Sequence, residues 1–394
     1  MLFLPSAPCN PQAGIGREDM DGLEHLIMNW RSALVGLTIA CSMTALIYLA
    51  RRGIESRAIG WLAVFVIAAN VSAIPLLIGF AGAYDIWPGL TFLPAQTALF
   101  FGPAIALHAR ALMLDSADRR LWWLFAPGIT YWLYQLWAFT MLGDYRQKWA
   151  FNNAVHEPYI LPVAIIGSWI LAAGCLIYVW RLRTRYLQWL KDHHSDDERF
   201  SPVWLTHLVV LAAIVGVFWV IESVLSRILD ADYFDVFLWE FIALFAIFVI
   251  VLEALAGIDH PFPKMKSEGE SEDRKPSEPA ARDWVLEGTR LKAQVLEHKW
   301  HLEAGLSLQV LARRFGMNQA YVSRAINQGL EQNFSGFING LRIEHAKVLI
   351  EVGDKSMIEI ALSTGFGSKA SFNRAFKLQT GISPSEYRAT RQAK

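Results

Sequence analysis

The sequence predicts an all-α protein: a seven-helix transmembrane bundle followed by a cytoplasmic all-helical domain with two helix-turn-helix units joined by a long helix. Three observations predict it. Seven stretches within residues 1–257 are apolar over about the 20 residues that a bilayer-crossing helix needs. Residues 258–283, IDHPFPKMKSEGESEDRKPSEPAARD, then break the pattern with prolines and charges. Beyond them a helix–glycine–helix pattern occurs twice, with starts near Ser307 and Ser356.

Composition supports the division. Of 394 residues, 54% are hydrophobic and 18% charged, against roughly 45–50% and 25% for soluble domains. A disordered or collagen-like chain is excluded. Three isolated cysteines, Cys9, Cys41 and Cys175, exclude a disulfide scaffold. The formal net charge is zero, but the total hides an uneven distribution. Residues 1–257 are net −4, residues 258–283 net −2 and residues 284–394 net +6. Fourteen of the 16 tryptophans lie in the first segment. The middle one cannot bury a core and reads as a flexible linker.

The predicted spans run approximately over 33–50, 58–80, 90–114, 121–142, 159–180, 203–227 and 234–257. Backbone groups in lipid must be satisfied internally, so such runs read as helices. Orientation follows from the basic residues at their ends. Ten of them, among them Arg51, Arg119, Arg181 and Arg199, fall in alternate loops, whereas the opposite loops carry only Arg146 and Lys148. This places the N-terminus outside and the chain beyond the last span in the cytoplasm, an inner-membrane multi-pass arrangement. Residues 1–30 lack the charge and apolar pattern of a signal peptide and read as a short extracytoplasmic tail. The domain expectation is therefore tail 1–30, membrane domain 31–257, linker 258–283 and helical module 284–394. The longest external loop is expected over about 143–158.

Polar groups within spans are costly and draw attention. Glu222, late in span six, and Glu240, early in span seven, both fall in the outer third, with Arg227 near enough to pair with one of them. Two readings stay open: mutual pairing, or a signal site facing one pocket. Asn70, Gln96 and Gln135 read as interhelical hydrogen-bond formers. The loop His193–Glu198, HHSDDE, mixes metal-ligand types but reads as a solvated turn. No nucleophile elbow, P-loop, paired zinc ligands or dinucleotide turn occurs. No catalytic residue, metal or cofactor is expected.

In the last module, an amphipathic helix is expected over about 289–302. In SLQVLARRFGMNQAYVSRAINQ, Leu308, Leu311, Ala312 and Phe315 line one face, Gly316 supplies a turn, and Val322, Ala325 and Ile326 line a second helix. In SMIEIALSTGFGSKASFNRAFKLQTG the pattern recurs: Ser356 and Glu359 form a capping box, Ile358, Ile360 and Ala361 the apolar side, Gly365 the turn, and Phe372 and Phe376 the anchors. Between the units, FSGFINGLRIEHAKVLIEV reads as one long helix. A last helix opens with Ser383, Pro384 and Glu386.

The connector's LRIEHAKVLI, then IEIALSTGFGSKASFNRAFK and TGISPSEYR, make residues 290–392 resemble the C-terminal DNA-binding domain of the AraC/XylS family of bacterial transcription regulators. The resemblance covers about a quarter of the chain. It implies two recognition helices in successive major-groove segments, about 34 Å apart. Matching positions nominate Asn318, Gln319, Tyr321 and Arg324 in the first recognition helix. In the second they nominate Ser368, Lys369, Ser371, Asn373, Arg374 and Lys377. Asn, Gln and Arg can read base edges, whereas Lys369 and Lys377 suit phosphates. The chain departs from the family at Ile326 and Asn327, where an aromatic and a lysine are usual, and at Glu331, where glycine is frequent.

The resemblance implies binding to double-stranded DNA; together with the apolar spans it gives the expectation of a membrane-embedded regulator whose spans sense a small-molecule or membrane-protein signal. A homodimer would gain affinity through effective concentration. Two alternatives are a passive membrane anchor and a transporter or membrane enzyme with a regulatory appendage.

Overall fold

A computed structural model describes residues 29–51, 57–90, 92–115, 119–228, 237–258, 262–265 and 283–392. The predicted tail and linker fall almost entirely outside these residues. All regular elements among the described residues are helical, as the sequence predicts. The chain divides into two compact units. One comprises residues up to Leu182 together with Pro202–Lys264, and the other comprises Arg183–Ser201 with Met265–Lys394.

Each of the seven apolar stretches contains a helix: α1 (Trp30–Arg51), α2 (Arg57–Phe80), then the short α3 (Ala83–Ile86), α4 (Ala98–Met113), α5 (Ala126–Met141), the short α6 (Tyr145–Phe151), α7 (Leu161–His193), which passes into the second unit at Arg183, α8 (Val203–Ile228) and α9 (Phe237–Ile258). Four runs, Trp30–Arg51, Arg57–Phe80, Tyr145–His193 and Val203–Ile221, are long and apolar enough to cross a membrane by length and composition. Ala98–Met113 and Phe237–Leu252 are shorter apolar helices.

Two stretches differ from the prediction for identifiable reasons. The third does not run as a helix from residue 90. Pro94 disfavours helix before it, and α4 starts only at Ala98. The interrupted backbone is satisfied by a side chain: Gln96 N–H donates to Gln135 Oε1 and Gln135 Nε2 donates to Gln96 O, both at 3.1 Å. Thr97 Oγ1 donates to Ala68 O at 2.6 Å. The loop expected over 143–158 is instead helical. Asp144 caps α6 in a reciprocal box with Gln147, and a π-helical segment, Asn152–Ile160, carries Pro158 into α7. Proline has no N–H to give, and a local change of helical pitch is one way to accommodate it.

Polar groups bind the helices pairwise, as the sequence predicts for Asn70, Gln96 and Gln135. Ser42 Oγ donates to Asn70 Oδ1 at 2.6 Å between α1 and α2, and Tyr131 Oη to Gln96 Oε1 at 2.7 Å. Small residues such as Ala104, Ala106 and Ala109 are buried on α4, which lets backbones approach. Large apolar side chains instead point outward: Val163, Ile170, Ile214, Val217 and Ile221 are all exposed.

The second unit contains α10 (Trp284–Glu297), α11 (Leu308–Phe315), α12 (Gln319–Gly329), α13 (Phe334–Val352), α14 (Met357–Ser363), α15 (Lys369–Thr380) and α16 (Pro384–Gln392). The first helix begins earlier than the expected 289, because Asp283 accepts from Leu286 N–H and caps it. It ends at Glu297, before Lys299, whose φ is +55°. Two separate apolar cores lie along α13. Phe334, Phe337 and Ile338 join the core of α10–α12, whereas Ile343, Ala346 and Ile350 join that of α14 and α15. Ile360 and Ala361 are fully buried in the latter, but Ile358 is exposed, contrary to expectation. Two residues along a helix is about 200° of rotation, so Ile358 and Ile360 cannot share a face.

Both predicted turns use left-handed glycines, Gly316 at φ +65° and Gly365 at φ +87°. At Gly365 a Cβ would lie 2.6 Å from Leu302 O and 3.1 Å from Arg342 Nε. Gly365→Ala is therefore expected to destabilise the second core by about 2 kcal/mol, combining a strained φ with a clash. Faster hydrogen exchange in α14 and α15 checks it. Glu331, which departs from the family's glycine, also has positive φ, +54°. Glu331→Gly is expected to stabilise the first core by about 1 kcal/mol, because left-handed backbone is costly for residues with a Cβ. Slower exchange of the α12 amides is the corresponding readout.

Candidate nucleic-acid interface and intramembrane site

Each recognition helix is held by its own turn and cap. Met317 N–H donates to Ala312 O, and Phe366 N–H to Ala361 O, both at 3.0 Å. The two units thus close in the same way at equivalent positions. Asn318 caps α12 by accepting from Ala320 N–H at 2.9 Å. Ser368 caps α15 by accepting from Ser371 N–H at 3.1 Å. Both residues are candidates for DNA contact by the family resemblance, and part of each side chain's hydrogen-bonding capacity is used in capping.

The remaining candidates divide by exposure. On α12, Arg324 is exposed and Gln319 half-buried, while Tyr321 is half-buried against Trp284, ring centroids 5.4 Å apart. Tyr321 thus has a packing role besides any contact with DNA. On α15, Lys369, Asn373, Arg374 and Lys377 are exposed and Ser371 is half-buried. Their apolar neighbours Phe366, Phe372 and Phe376 are buried beneath them. Each helix therefore offers a polar face over an apolar anchor, and the two faces belong to units with separate cores. The last helix is pinned by the predicted box: Ser383 N–H donates to Glu386 Oε2 at 2.7 Å and Glu386 N–H to Ser383 Oγ at 3.2 Å. Tyr387 Oη donates to Glu351 Oε1 on α13 at 3.0 Å.

Sequence reasoning missed the residue that ties the two helix-turn-helix units together. Arg342, within LRIEHAKVLI, is fully buried. Its Nε donates to His301 O and its Nη2 to Glu303 O, both at 2.7 Å, and its Nη1 to Asn339 Oδ1 at 3.1 Å. Its guanidinium lies 5.4 Å from the centroid of the Phe366 ring. It also faces Asp196 at 3.6 Å. Burial lowers its pKa to about 10, against the opposing effect of Asp196, so it stays charged at neutral pH. The solvated-turn reading of His193–Glu198 fails at the same place: Ser195 and Asp196 are buried. No group of metal-ligating residues occurs among those described.

In the first unit Glu240 is buried, 6% exposed, and borders a cavity of about 80 Å³. Polar side chains lining it besides Glu240 include Gln96, Thr97, Tyr131 and Trp219. Trp219 Nε1 is buried without a hydrogen-bond partner. The side chains of Glu222 and Arg227 lie outside the described residues, and with them the expected pairing.

Residues 311–390 match a helix-turn-helix domain family. The C-terminal module carries an AraC-type helix-turn-helix domain. An uncharacterized HTH-type transcriptional regulator of Staphylococcus aureus strain MSSA476 is 39% identical over 93 residues, 24% of this chain and 12% of that protein. An Escherichia coli K12 protein named for an HTH-type transcriptional regulator is 30% identical over 109 residues, 26% of this chain and 46% of that one. The chain thus spans well under two thirds of either relative. The C-terminal domain of AraT, a response regulator from Geobacillus stearothermophilus, shares 30% identity over 26% of this chain and 84% of that one, with a TM-score of 0.25. The domain match and the relatives' names support a DNA-binding, transcription-regulating role for the module.

Proposed function

We propose that the chain is a membrane-embedded, sequence-specific transcription regulator whose helical bundle senses a signal and whose cytoplasmic module binds double-stranded DNA. One observation carries the reading: an AraC-type module with two polar recognition faces is continuous with a unit whose exposed helix surfaces are apolar. Such surfaces suit lipid, and a duplex suits the faces of α12 and α15. The Lys/Arg bias puts the module on the cytoplasmic side. The seven-span count, the inner-membrane location and homodimerisation belong to this proposal.

Within it, Arg324 and Arg374 read bases, and Lys369 and Lys377 hold phosphates. Arg374→Ala is expected to weaken specific operator binding by about 1–3 kcal/mol and relax selectivity at one position, whereas Lys377→Ala lowers affinity uniformly and reduces the salt slope by about 1. Selection of duplexes from a random pool by the full-length protein, followed by titration of both variants, checks this. An unchanged affinity in Arg374→Ala would remove that residue from the interface. The sensing site in this reading is the Glu240 cavity. Exchanging the bundle for an unrelated membrane anchor should abolish the signal response while keeping operator binding. A surviving response would leave the spans as an anchor only.

A further inference from the structure

Residues 194–202 join α7 to α8, and the first of them are held in the second unit as a docked turn. Ser195 N–H donates to Leu306 O at 3.1 Å, and His194 forms an antiparallel bridge with Ser307 at the entry to α11. One stripe of α13 grips the turn from the other side. Asn339 Nδ2 donates to Ser195 O at 3.0 Å, Ser335 Oγ to Asp197 Oδ1 at 3.0 Å, and Arg342 Nη2 to Ser195 Oγ at 3.3 Å. Ser335, Asn339 and Arg342 stand four and three residues apart and so share one helix face. Ser195 is 2% exposed. A turn serving only to connect two helices would not be buried between the entry to α11 and one face of α13.

The docked position places acidic groups beside the second recognition helix. A cavity of about 520 Å³ has Asp196, Asp197 and Arg199 on one wall and Ser368, Ser371 and Arg374 on the other. Asp196 Oδ2 lies 3.2 Å from where a Cβ on Gly367 would stand, and it is buried without a hydrogen-bond partner. That cleft leads to the N-terminus of α15, whose N–H groups and positive dipole end favour a phosphate. A DNA phosphate brought there meets a cleft that the turn already occupies: the carboxylates of Asp196, which Arg342 faces at 3.6 Å, and of Asp197 stand where the phosphate would approach Arg374, and carboxylate and phosphate repel.

We propose that the acidic turn 195–197 and duplex DNA compete for the cleft at the start of α15, so that the docked turn holds the second helix-turn-helix unit in a low-affinity state. The turn is covalently continuous with α7 and α8, so a change in those helices can withdraw it. The inference rests on the DNA-binding reading above and adds to it the segment through which the bundle acts.

The test uses the full-length protein in lipid nanodiscs, titrated with a short random-sequence duplex. The double substitution Asp196→Asn with Asp197→Asn is expected to tighten binding about three- to tenfold. Asp197→Asn alone, which leaves the Arg342–Asp196 pair in place, is expected to act in the same direction by a smaller factor. Glu297→Gln removes an exposed carboxylate on α10 and controls for the general gain from lost negative charge; it should change little. In the wild-type protein, hydrogen exchange at the Ser195 amide should accelerate when DNA saturates. Equal affinities across the turn variants and the control, or equal Ser195 protection with and without DNA, would overturn the competition while leaving DNA binding intact. Failure of every form to bind duplex would overturn the DNA-binding reading and the competition together.

Discussion

Replacing Arg342 with alanine is expected to destabilise the second unit by about 3–5 kcal/mol, the range for breaking a buried charge pair by removing one partner. The guanidinium serves three directions at once. It donates to the carbonyls of His301 and Glu303, which lie between the first helix and the first helix-turn-helix, and to Asn339 on its own helix. It also lies over Phe366 of the second core. Alanine leaves those carbonyls without their donor and Asp196 buried without its cation. Lysine is expected to recover only part of the loss, because a single ammonium cannot reproduce a planar fork with donors in fixed directions. Hydrogen exchange across α10–α16 in the full-length protein measures it. A loss below about 1 kcal/mol would place Arg342 among ordinary partners rather than at the junction of the units.

Phe372→Ala is expected to cost about 3–5 kcal/mol, as for other fully buried aromatic truncations. Phe372 is 0% exposed and packs edge-on to Phe366 and Phe376, at 5.4 and 5.6 Å between centroids. The effect should be local. Phe372 belongs to the core of α14 and α15, which shares with the core of α10–α12 only the helix α13. Amides of α14–α16 should lose protection while those of α11 and α12 keep most of theirs. DNA affinity should fall toward that of one unit, because the second contact no longer adds its effective concentration. Equal loss of protection in both units would mean that the two cores unfold as one.

Local and periodic features were readable from the sequence. Long apolar runs, turn glycines and capping boxes act within a few residues, so a helix lies within each apolar stretch, and Gly316, Gly365 and the boxes at Ser356 and Ser383 are found where the pattern puts them. The aromatic anchors of α15 follow from the same logic. Features set by distant partners were not readable. A carboxylate in a polar turn carries no mark that a buried arginine 146 positions later will face it, and so Asp196 read as solvated. Nor did Arg342 stand out within an amphipathic helix. The first helix of the module starts at Trp284 rather than near 289, because the Asp283 side chain caps it, a signal the apolar spacing does not carry. Asn318 and Ser368 were legible as candidates for DNA, but not as caps that also position their helices.

In the proposed function one chain both resides in the membrane and binds specific DNA through α12 and α15. Chromatin immunoprecipitation of the full-length protein from membrane-fractionated cells, alongside an Arg324→Ala, Arg374→Ala double variant, tests it most directly. Discrete enriched DNA sites are expected with the membrane-bound wild-type protein and should be lost in the variant at equal abundance. Membrane-bound protein with no enriched sites, or sites that persist unchanged in the double variant, would contradict it.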